Sequence, residues 1–220
     1  MDFESIVLSD LEKILIDADL VKSRMLIKDD IHEKFLLLKN EGIDNTEELF
    51  TILKNKKKLL QISKNTGIEE NYLNILIREV KSFKQAPNKF CNCPELSMEI
   101  CNSLEMQGIK NTEQLYNQII TKGYREKLAQ LTGLDDETIL YLTKFADLSR
   151  IRWVNHTFAY MLIEAGYNSQ FEVSQADIID MHKRINKINK DKGFYRGQIG
   201  LHDFKLTVEA AEFLQQDIEF

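Results

Sequence analysis

Apolar residues recur at helical spacing along the chain, and short polar turn segments separate the apolar runs. The segment EGIDNTEEL at residues 41–49 returns as QGIKNTEQL at residues 107–115, an offset of 66 positions. The same offset relates TGI at 66–68 to TGL at 132–134, so the two glycines of each copy lie 25 positions apart. Because two spacings are kept at once, the pattern indicates an internal repeat of one structural unit.

Each copy predicts helices joined by tight turns. Gly42 and Gly108 follow apolar helical runs, where a glycine suits the left-handed residue that ends a helix. Asn45 and Asn111 come next and can cap a second helix, whose first turn carries acidic or amide residues. Paired acids after the second glycine of each copy predict the start of a further helix.

A degenerate third unit follows in the last third of the chain. Its apolar period ends at Gly166, and it continues with a helix near Phe171 to Ile188 and a last helix at about Asp203 to Gln216. Between these helices, Gly200 echoes the second turn glycine of the first two copies. The glycines predicted to form structural turns are Gly42, Gly67, Gly108, Gly133, Gly166 and Gly200.

Both prolines of the chain, Pro87 and Pro94, lie between the two clean copies. Proline breaks helices and restricts the residue before it, so residues 87–94 are predicted to form a linker. The expected organisation is an N-terminal helical lobe at 1–86, which holds a partial repeat copy, and a C-terminal helical-hairpin domain at 95–220.

Composition narrows the class of protein. The chain is 43% apolar and 29% charged, which suits a folded domain, and its nine glycines and two prolines leave few helix breakers. Three cysteines are too few for a disulfide framework and agree with a reducing compartment. No apolar run approaches the roughly 20 residues that span a bilayer. We therefore expect a cytoplasmic protein without a membrane partner.

Short motifs are spaced along the second copy and the third unit. They are QGI at 107–109 with Thr112 and Leu115, REKLA at 125–129 with TGL at 132–134, ADLSRI at 146–151, and AYML at 159–162 with EAG at 164–166. Through these motifs, the stretch from about Pro94 to Leu214 resembles a helix-hairpin-helix-like family listed as domain of unknown function 4332. Residues 31–83 resemble a partial second copy.

The resemblance implies an all-α fold of tandem helix-hairpin-helix-like repeats in two lobes, related to the hairpins of DNA-repair and recombination proteins. It implies no activity, because a fold alone does not define one.

The predicted turns differ from those of hairpins that bind DNA. Such hairpins use a Gly-apolar-Gly turn, whose amides receive a phosphate. Here Glu69-Glu70 and Asp135-Asp136 follow the turn glycines, so these two turns should repel a phosphate backbone. The third turn, Trp153-Val154-Asn155, has lost both glycines but is flanked by Arg150, Arg152 and His156. Trp153 can stack a base there, or it can anchor a packing contact while the arginines are solvated.

A second candidate polyanion contact lies between Lys183 and Arg196, where six basic residues accompany one acid, with Phe194 and Tyr195 beside them. The alternative is that these cations only complement the dipole at a helix C-terminus. The net charge of −6 opposes polyanions on average, so any such contact depends on how the charge is distributed.

Metal and catalytic chemistry have weak support. Cys91, Cys93 and Cys101 match no zinc-binding spacing, and Cys101 reads most simply as a small buried apolar residue. The four histidines are scattered, and the chain has no phosphate loop, nucleophile elbow or paired catalytic carboxylates with a base. We expect no metal, no cofactor, no small-molecule substrate and no enzymatic activity.

The leading functional prediction is a non-catalytic binding or scaffolding module that acts through a protein partner or self-association, because stacked repeats form extended grooves. The alternative is a DNA- or RNA-binding protein that uses a basic face of the C-terminal domain. The residues of that face are predicted to be Arg150, Arg152, Trp153, His156, Lys183, Arg184, Lys187 and Arg196.

Overall fold

The computed structural model describes residues 6–83, 85–93 and 95–220. Within these ranges every regular element is a helix, apart from two isolated β-bridges that each join a single pair of residues. The predicted all-α fold class is confirmed. In the same ranges, no helix combines the length and the apolarity that crossing a membrane requires.

The chain divides into two compact units, Met1–Lys84 and Gln85–Phe220. The segment that the prolines predicted to be a linker, 87–94, belongs to the second unit. Its side chains at Phe90 and Cys93 are buried in the core of that unit, and Asn88 is buried as well. Pro94 lies outside the described residues. The described residues that follow Pro87 therefore pack onto the core of the second unit.

The first unit consists of five α-helices and one 3-10 segment over its described residues. They are α1 (Leu8–Asp17), the 3-10 segment Lys22–Lys28, α2 (Ile31–Asn40), α3 (Thr46–Lys54), α4 (Lys56–Thr66) and α5 (Glu70–Phe83).

The core of the first unit is almost wholly aliphatic, with Leu11, Leu15, Leu38, Leu49 and Leu76 fully buried. Complete burial of one leucine side chain stabilises the fold by roughly 1.5–3 kcal/mol.

Two polar contacts fix α5 against the 3-10 segment of the first unit. The hydroxyl of buried Tyr72 donates to the Ile27 carbonyl at 2.9 Å, and Arg24 forms an ion pair with the buried carboxylate of Glu79. Both contacts satisfy polar groups that would otherwise be buried without a partner.

The second unit consists of eight α-helices and a short 3-10 turn over its described residues. They are the 3-10 turn Phe90–Asn92, α6 (Met98–Met106), α7 (Thr112–Tyr116), α8 (Lys122–Thr132), α9 (Asp136–Leu148), α10 (His156–Glu164), α11 (Gln170–Ser174), α12 (Ile178–Lys192) and α13 (Leu201–Glu212). Its core runs from Phe90 through Phe145 to Phe204, and it includes the apolar faces of α9, α10 and α12.

One left-handed turn recurs three times. Gly42, Gly108 and Gly166 lie just after α2, α6 and α10, with φ of 80°, 77° and 90°. In each turn the amide after the glycine reaches back to a carbonyl of the last helical turn. The pairs are Ile43 to Leu38 (3.3 Å), Ile109 to Leu104 (3.0 Å) and Tyr167 to Leu162 (2.9 Å). This bond satisfies a carbonyl that the helix end leaves without an intrahelical donor.

A side-chain cap starts the next helix in all three places. The caps are Asn45, Asn111 and Ser169, which accept from the amides of Glu48, Gln114 and Glu172 at 2.9, 3.0 and 3.1 Å. The side chains of Glu48, Gln114 and Glu172 accept in turn from the amides of Asp44, Lys110 and Asn168, at 2.8, 2.7 and 2.8 Å. Each turn therefore satisfies its backbone groups from within one short segment.

In the first two copies an extended segment pairs with this cap. Val7 forms a β-bridge with Asn45, and Lys89 forms the equivalent bridge with Asn111. The amides of Thr46 and Thr112 then donate to the carbonyls of Ile6 and Asn88, each at 3.0 Å. Residues 88–90 thus take the same role in the second unit that residues 6–8 take in the first.

In the third copy a carboxylate replaces that extended segment. The Gln170 amide, which corresponds to those of Thr46 and Thr112, donates to Oδ2 of Asp147 at 2.8 Å. Burial raises the pKa of the Asp147 carboxyl, while the bonds from Gln170 and Arg150 oppose that rise.

Two predicted features of the third unit were wrong. The helix expected near 171–188 is two helices, because Asp177 caps α12 by accepting from the Asp180 amide at 2.8 Å. Gly200 is not a left-handed turn residue, since its φ is −70° and it caps α13. Gly193, with φ 72°, ends α12 instead, and Gly197 is left-handed in the loop that follows.

We predict opposite effects for alanine at two glycines of the same helix. Gly133 ends α8 at φ 71°, whereas Gly123 lies inside α8 without a positive φ, and neither has a heavy atom within 4 Å of an added Cβ. Gly133→Ala should lower the free energy of unfolding by about 1 kcal/mol through strain. Gly123→Ala should raise it by about 0.5 kcal/mol through helix propensity. Urea unfolding of both variants tests this, and shifts of the same sign would contradict it.

Candidate nucleic-acid interface

An open groove of about 560 Å³ lies between α12 and the loop that follows it. One wall is the exposed side of α12, and the other is the loop at residues 193–200. The residues that line it are His182, Lys183, Asn186, Lys187, Asn189, Lys190, Gly193, Tyr195, Gly197 and Gln198. None of these ten side chains is acidic, although the whole chain has a net charge of −6.

Two buried asparagines of α12 hold the loop wall in place. The side chain of Asn189 donates to the Gly197 carbonyl at 2.7 Å and accepts from the Tyr195 amide at 2.7 Å. The side chain of Asn186 donates to the Ile199 carbonyl at 3.0 Å and accepts from the Ile199 amide at 2.8 Å. The groove is therefore a fixed part of the fold and not a gap between unrelated surfaces.

Three exposed lysines form the charged edge of the groove. Lys183, Lys187 and Lys190 are spaced at i, i+4 and i+7 on α12, so they share one side of the helix and span about 10 Å along its axis. Within the described part of the chain, none of the three forms an ion pair. Three ammonium groups without acidic partners make a surface that favours anions.

Arg184, although it lies on the same helix, has other partners. Its guanidinium forms an ion pair with Asp180 at 2.7 Å and donates to the Ala165 carbonyl at 3.4 Å. Arg196 is exposed on the loop wall but does not line the groove. Of the four cations predicted for this segment, Lys183 and Lys187 thus lie in the groove itself.

Arg150 belongs to a structural network and not to an open surface. Its guanidinium donates to Asp147 at 2.9 Å, to the Gln215 carbonyl at 3.0 Å and to Asp217 at 3.2 Å. It also lies 4.6 Å from the centroid of the Tyr116 ring, and only 19% of its side chain is exposed. These contacts tie the end of α9 to the C-terminal segment and occupy the donors that a phosphate would need.

His156 is half-buried at the start of α10. Its Nδ1 lies 3.6 Å from a carboxylate oxygen of Glu95, whose side chain is only 8% exposed. The structure therefore pairs this predicted nucleic-acid-binding residue with a buried acid and not with the groove.

Arg152 and Trp153 form a separate pair, in which Trp153 is exposed and Arg152 is half-buried. The guanidinium carbon of Arg152 lies 4.0 Å from the centroid of the Trp153 ring, which is cation–π distance. Trp153 is 47% exposed and has a left-handed backbone with φ 68°. Of the eight residues predicted from the sequence, Lys183 and Lys187 line the groove, and Trp153 and Arg196 are exposed outside it.

The cysteines are free thiols in three different environments: Cys91 is exposed, Cys93 is buried and Cys101 is intermediate. Burial, with a smaller contribution from the Glu95 charge, raises the pKa of the Cys93 thiol to about 12. It is therefore protonated at neutral pH and a poor nucleophile. Among the described residues, no group of three histidine, cysteine or acidic side chains is arranged to hold a metal ion.

Sequence reasoning missed the polar residues that build the site. Asn186 and Asn189 look like solvated positions of a polar helix, yet their spacing of three places both on the face that meets the loop. The groove lysine Lys190 was part of the basic segment, but it was not singled out. Its i+7 relation to Lys183 was the available signal.

The described residues form an all-α fold with a basic groove along α12. Residues 94–214 match the family described as Domain of unknown function (DUF4332), and the match covers more than half of the chain. The chain belongs to this family. Comparison with curated proteins and with solved structures gave no match.

We predict that Asn189→Ala loosens the loop wall. The change removes the acceptor of the Tyr195 amide and the donor of the Gly197 carbonyl, and each unsatisfied group costs about 1–3 kcal/mol if it stays buried. Native-state hydrogen exchange of the amides at 193–200 should therefore become faster. Lys190→Ala, one residue away on the exposed side, is the matched control and should leave that exchange unchanged. Equal protection in Asn189→Ala and the unsubstituted protein would show that the asparagine does not hold the loop.

Proposed function

We propose that the protein is a non-catalytic nucleic-acid-binding module whose contact surface is the α12 groove. The observation that carries the proposal is the groove's charge: three exposed lysines and no acid among its lining residues, in a chain of net charge −6. A chain with a negative net charge repels a phosphate backbone over most of its surface. A positively charged groove is therefore the place where such a backbone can bind.

The geometry of the groove suits a backbone and not a single small anion. The lysines extend along about 10 Å of helix, which is several times the charge spacing of about 3.4 Å per nucleic-acid strand. An isolated phosphate can contact one or two of them, whereas a strand laid along the groove can contact all three. The fixed loop wall also reduces the ordering that binding requires.

The turns at Gly67 and Gly133 are unsuited to a phosphate, which favours the α12 groove as the contact surface. Acids follow Gly67 and Gly133, and Asp135 caps α9 with its own carboxylate by accepting from the Thr138 amide at 2.7 Å. That bond also contributes to the lowered pKa of Asp135, which keeps it charged. A helix start whose amides already hold a carboxylate has no free site for a phosphate.

Protein–protein recognition, the leading prediction from the sequence, is the second candidate. One observation favours it: Met106 at the end of α6 is 83% exposed, and Leu131 at the end of α8 is 52% exposed. The side chain of Gln107 donates to the Leu131 carbonyl at 3.1 Å, which places these two helix ends side by side. Exposed methionine beside leucine is typical of adaptable contact surfaces.

The test compares two triple-lysine variants that lose the same charge. Lys183→Ala/Lys187→Ala/Lys190→Ala removes the groove lysines, and Lys56→Ala/Lys57→Ala/Lys58→Ala removes three exposed lysines at the start of α4. Binding to a labelled oligonucleotide is measured by fluorescence anisotropy over a salt series. The groove variant should bind more weakly, and its slope of log affinity against log salt should fall by about 2, because roughly 0.7 counterions are released per contacted phosphate of a single strand.

The α4 variant should keep most of the affinity and the original slope. Equal losses in the two variants would mean that overall charge, and not the groove, governs binding. Absence of binding by the unsubstituted protein at about 50 mM salt, where phosphate contacts are strong, would rule out the proposal and leave protein contacts as the better candidate.

A further inference from the structure

The turn at Trp153 has the positive φ of the two glycine turns without their glycine. Gly67 and Gly133 have φ of 76° and 71°, and Trp153 has φ of 68°. In each case an aliphatic residue and then the start of a helix follow. Residues with a Cβ are disfavoured in this conformation, and a bulky aromatic residue is a clear outlier. Such strain points to a role for the side chain that a glycine could not supply.

Other side chains hold this turn in its strained conformation. In the glycine turns, the amides of Gly67 and Gly133 donate to helix carbonyls at 2.9 and 2.8 Å. The Trp153 amide donates instead to Oε1 of Gln85 at 2.8 Å. The Gln85 side chain also donates to the Val154 carbonyl at 3.2 Å, so one glutamine bonds both sides of the turn. The indole is thus presented by a rigid backbone.

The indole is not needed to fill the core. The fully buried side chains of the second unit include Phe90, Phe145 and Phe204, whereas Trp153 is 47% exposed with Arg152 over its ring. A packing anchor would be expected to bury most of its surface. The exposed part of the indole instead offers a flat surface to a ligand.

The turn adjoins the basic groove through Tyr195. This residue lines the groove, and its hydroxyl lies 3.0 Å from Oδ1 of Asn155, two residues after Trp153. Lys192, at the end of α12, also reaches the first turns of α10, where its Nζ lies 3.4 Å from the Tyr160 hydroxyl. The end of the lysine-lined helix and the Trp153 turn therefore meet on one side of the second unit.

We infer that Trp153 stacks a nucleobase next to the phosphates held in the α12 groove, so that the site takes single-stranded nucleic acid. The inference rests on the proposed function and adds a substrate class to it. A base in a duplex has its faces covered by its neighbours, whereas an unpaired base can lie on an aromatic ring. A basic groove with an adjoining aromatic platform is the arrangement that binds single strands with little sequence preference.

The test uses the protein's own fluorescence, since Trp153 is the only tryptophan in the chain. Oligothymidylate of about 16 nucleotides, the upper end of common single-domain site sizes, is titrated into the full-length protein. A duplex of the same length and polyglutamate are titrated in parallel. Stacking predicts strong quenching by the single strand and little by the duplex or polyglutamate at matched occupancy. Equal quenching by polyglutamate would assign the surface to an acidic protein segment and overturn the inference.

Two substitutions separate stacking from structure. Trp153→Gly suits the left-handed backbone, so its melting temperature should not fall, yet its affinity for the single strand should drop about 5- to 150-fold, the range for one stacked base. Trp153→Phe keeps an aromatic ring and should retain most of the affinity. If Trp153→Gly binds the single strand as tightly as the unsubstituted protein, the inference fails.

The outcomes for the groove and for Trp153 are distinguishable. Loss of binding in the groove lysine variant, with Trp153→Gly unaffected, would keep the proposed function and reject the stacking role. Failure of the unsubstituted protein to bind either oligonucleotide would reject both.

Discussion

The fold depends on how the backbone amides and carbonyls are satisfied where one helix gives way to the next. At Gly42, Gly108 and Gly166 a left-handed residue returns an amide to the last helical turn, and a capping side chain then accepts one amide from the first turn of the next helix. Because both halves of each turn are satisfied locally, the helices can be short and closely spaced without leaving buried polar groups unpaired. The apolar faces then pack onto a backbone whose direction is already set.

In the third copy, side chains replace backbone partners that the first two copies supply. Asp147 accepts the Gln170 amide, where Ile6 and Asn88 offer carbonyls to Thr46 and Thr112. The buried Asp147 carboxylate requires a cation, and Arg150 provides it. This explains why an arginine beside a candidate binding turn is mostly buried: it neutralises the acid that completes the repeat.

Local features of the fold could be predicted from the sequence, and distant ones could not. A nine-residue segment such as EGIDNTEEL contains the left-handed glycine, the capping asparagine and the acid whose side chain accepts the amide before the cap. The turns were therefore predictable from the sequence. The pairing of residues 88–90 with the cap at Asn111 depends on a contact across the fold, and the prolines there suggested a linker instead. The candidate site shows the same limit. The sequence gives the charges of Arg150 and Lys187, but only the fold shows that one meets Asp147 while the other faces an acid-free groove.

The turn at Trp153 differs in two ways from the equivalent turns at Gly67 and Gly133. The turns at Gly67 and Gly133 use a residue without strain and place acids in the first turn of the next helix, where the helix dipole favours them. The turn at Trp153 has neither feature, since α10 begins after an uncharged asparagine cap and has no acid in its first turn. Both differences reduce local stability. One removes carboxylates that would repel a nucleic acid, and the other places an aromatic ring where glycine would cause no strain. The side chain of Gln85 supplies the bonds that keep this less stable turn in place. A turn held by added contacts in a strained form, with its ring half exposed, is better explained by what the ring binds than by how the chain folds.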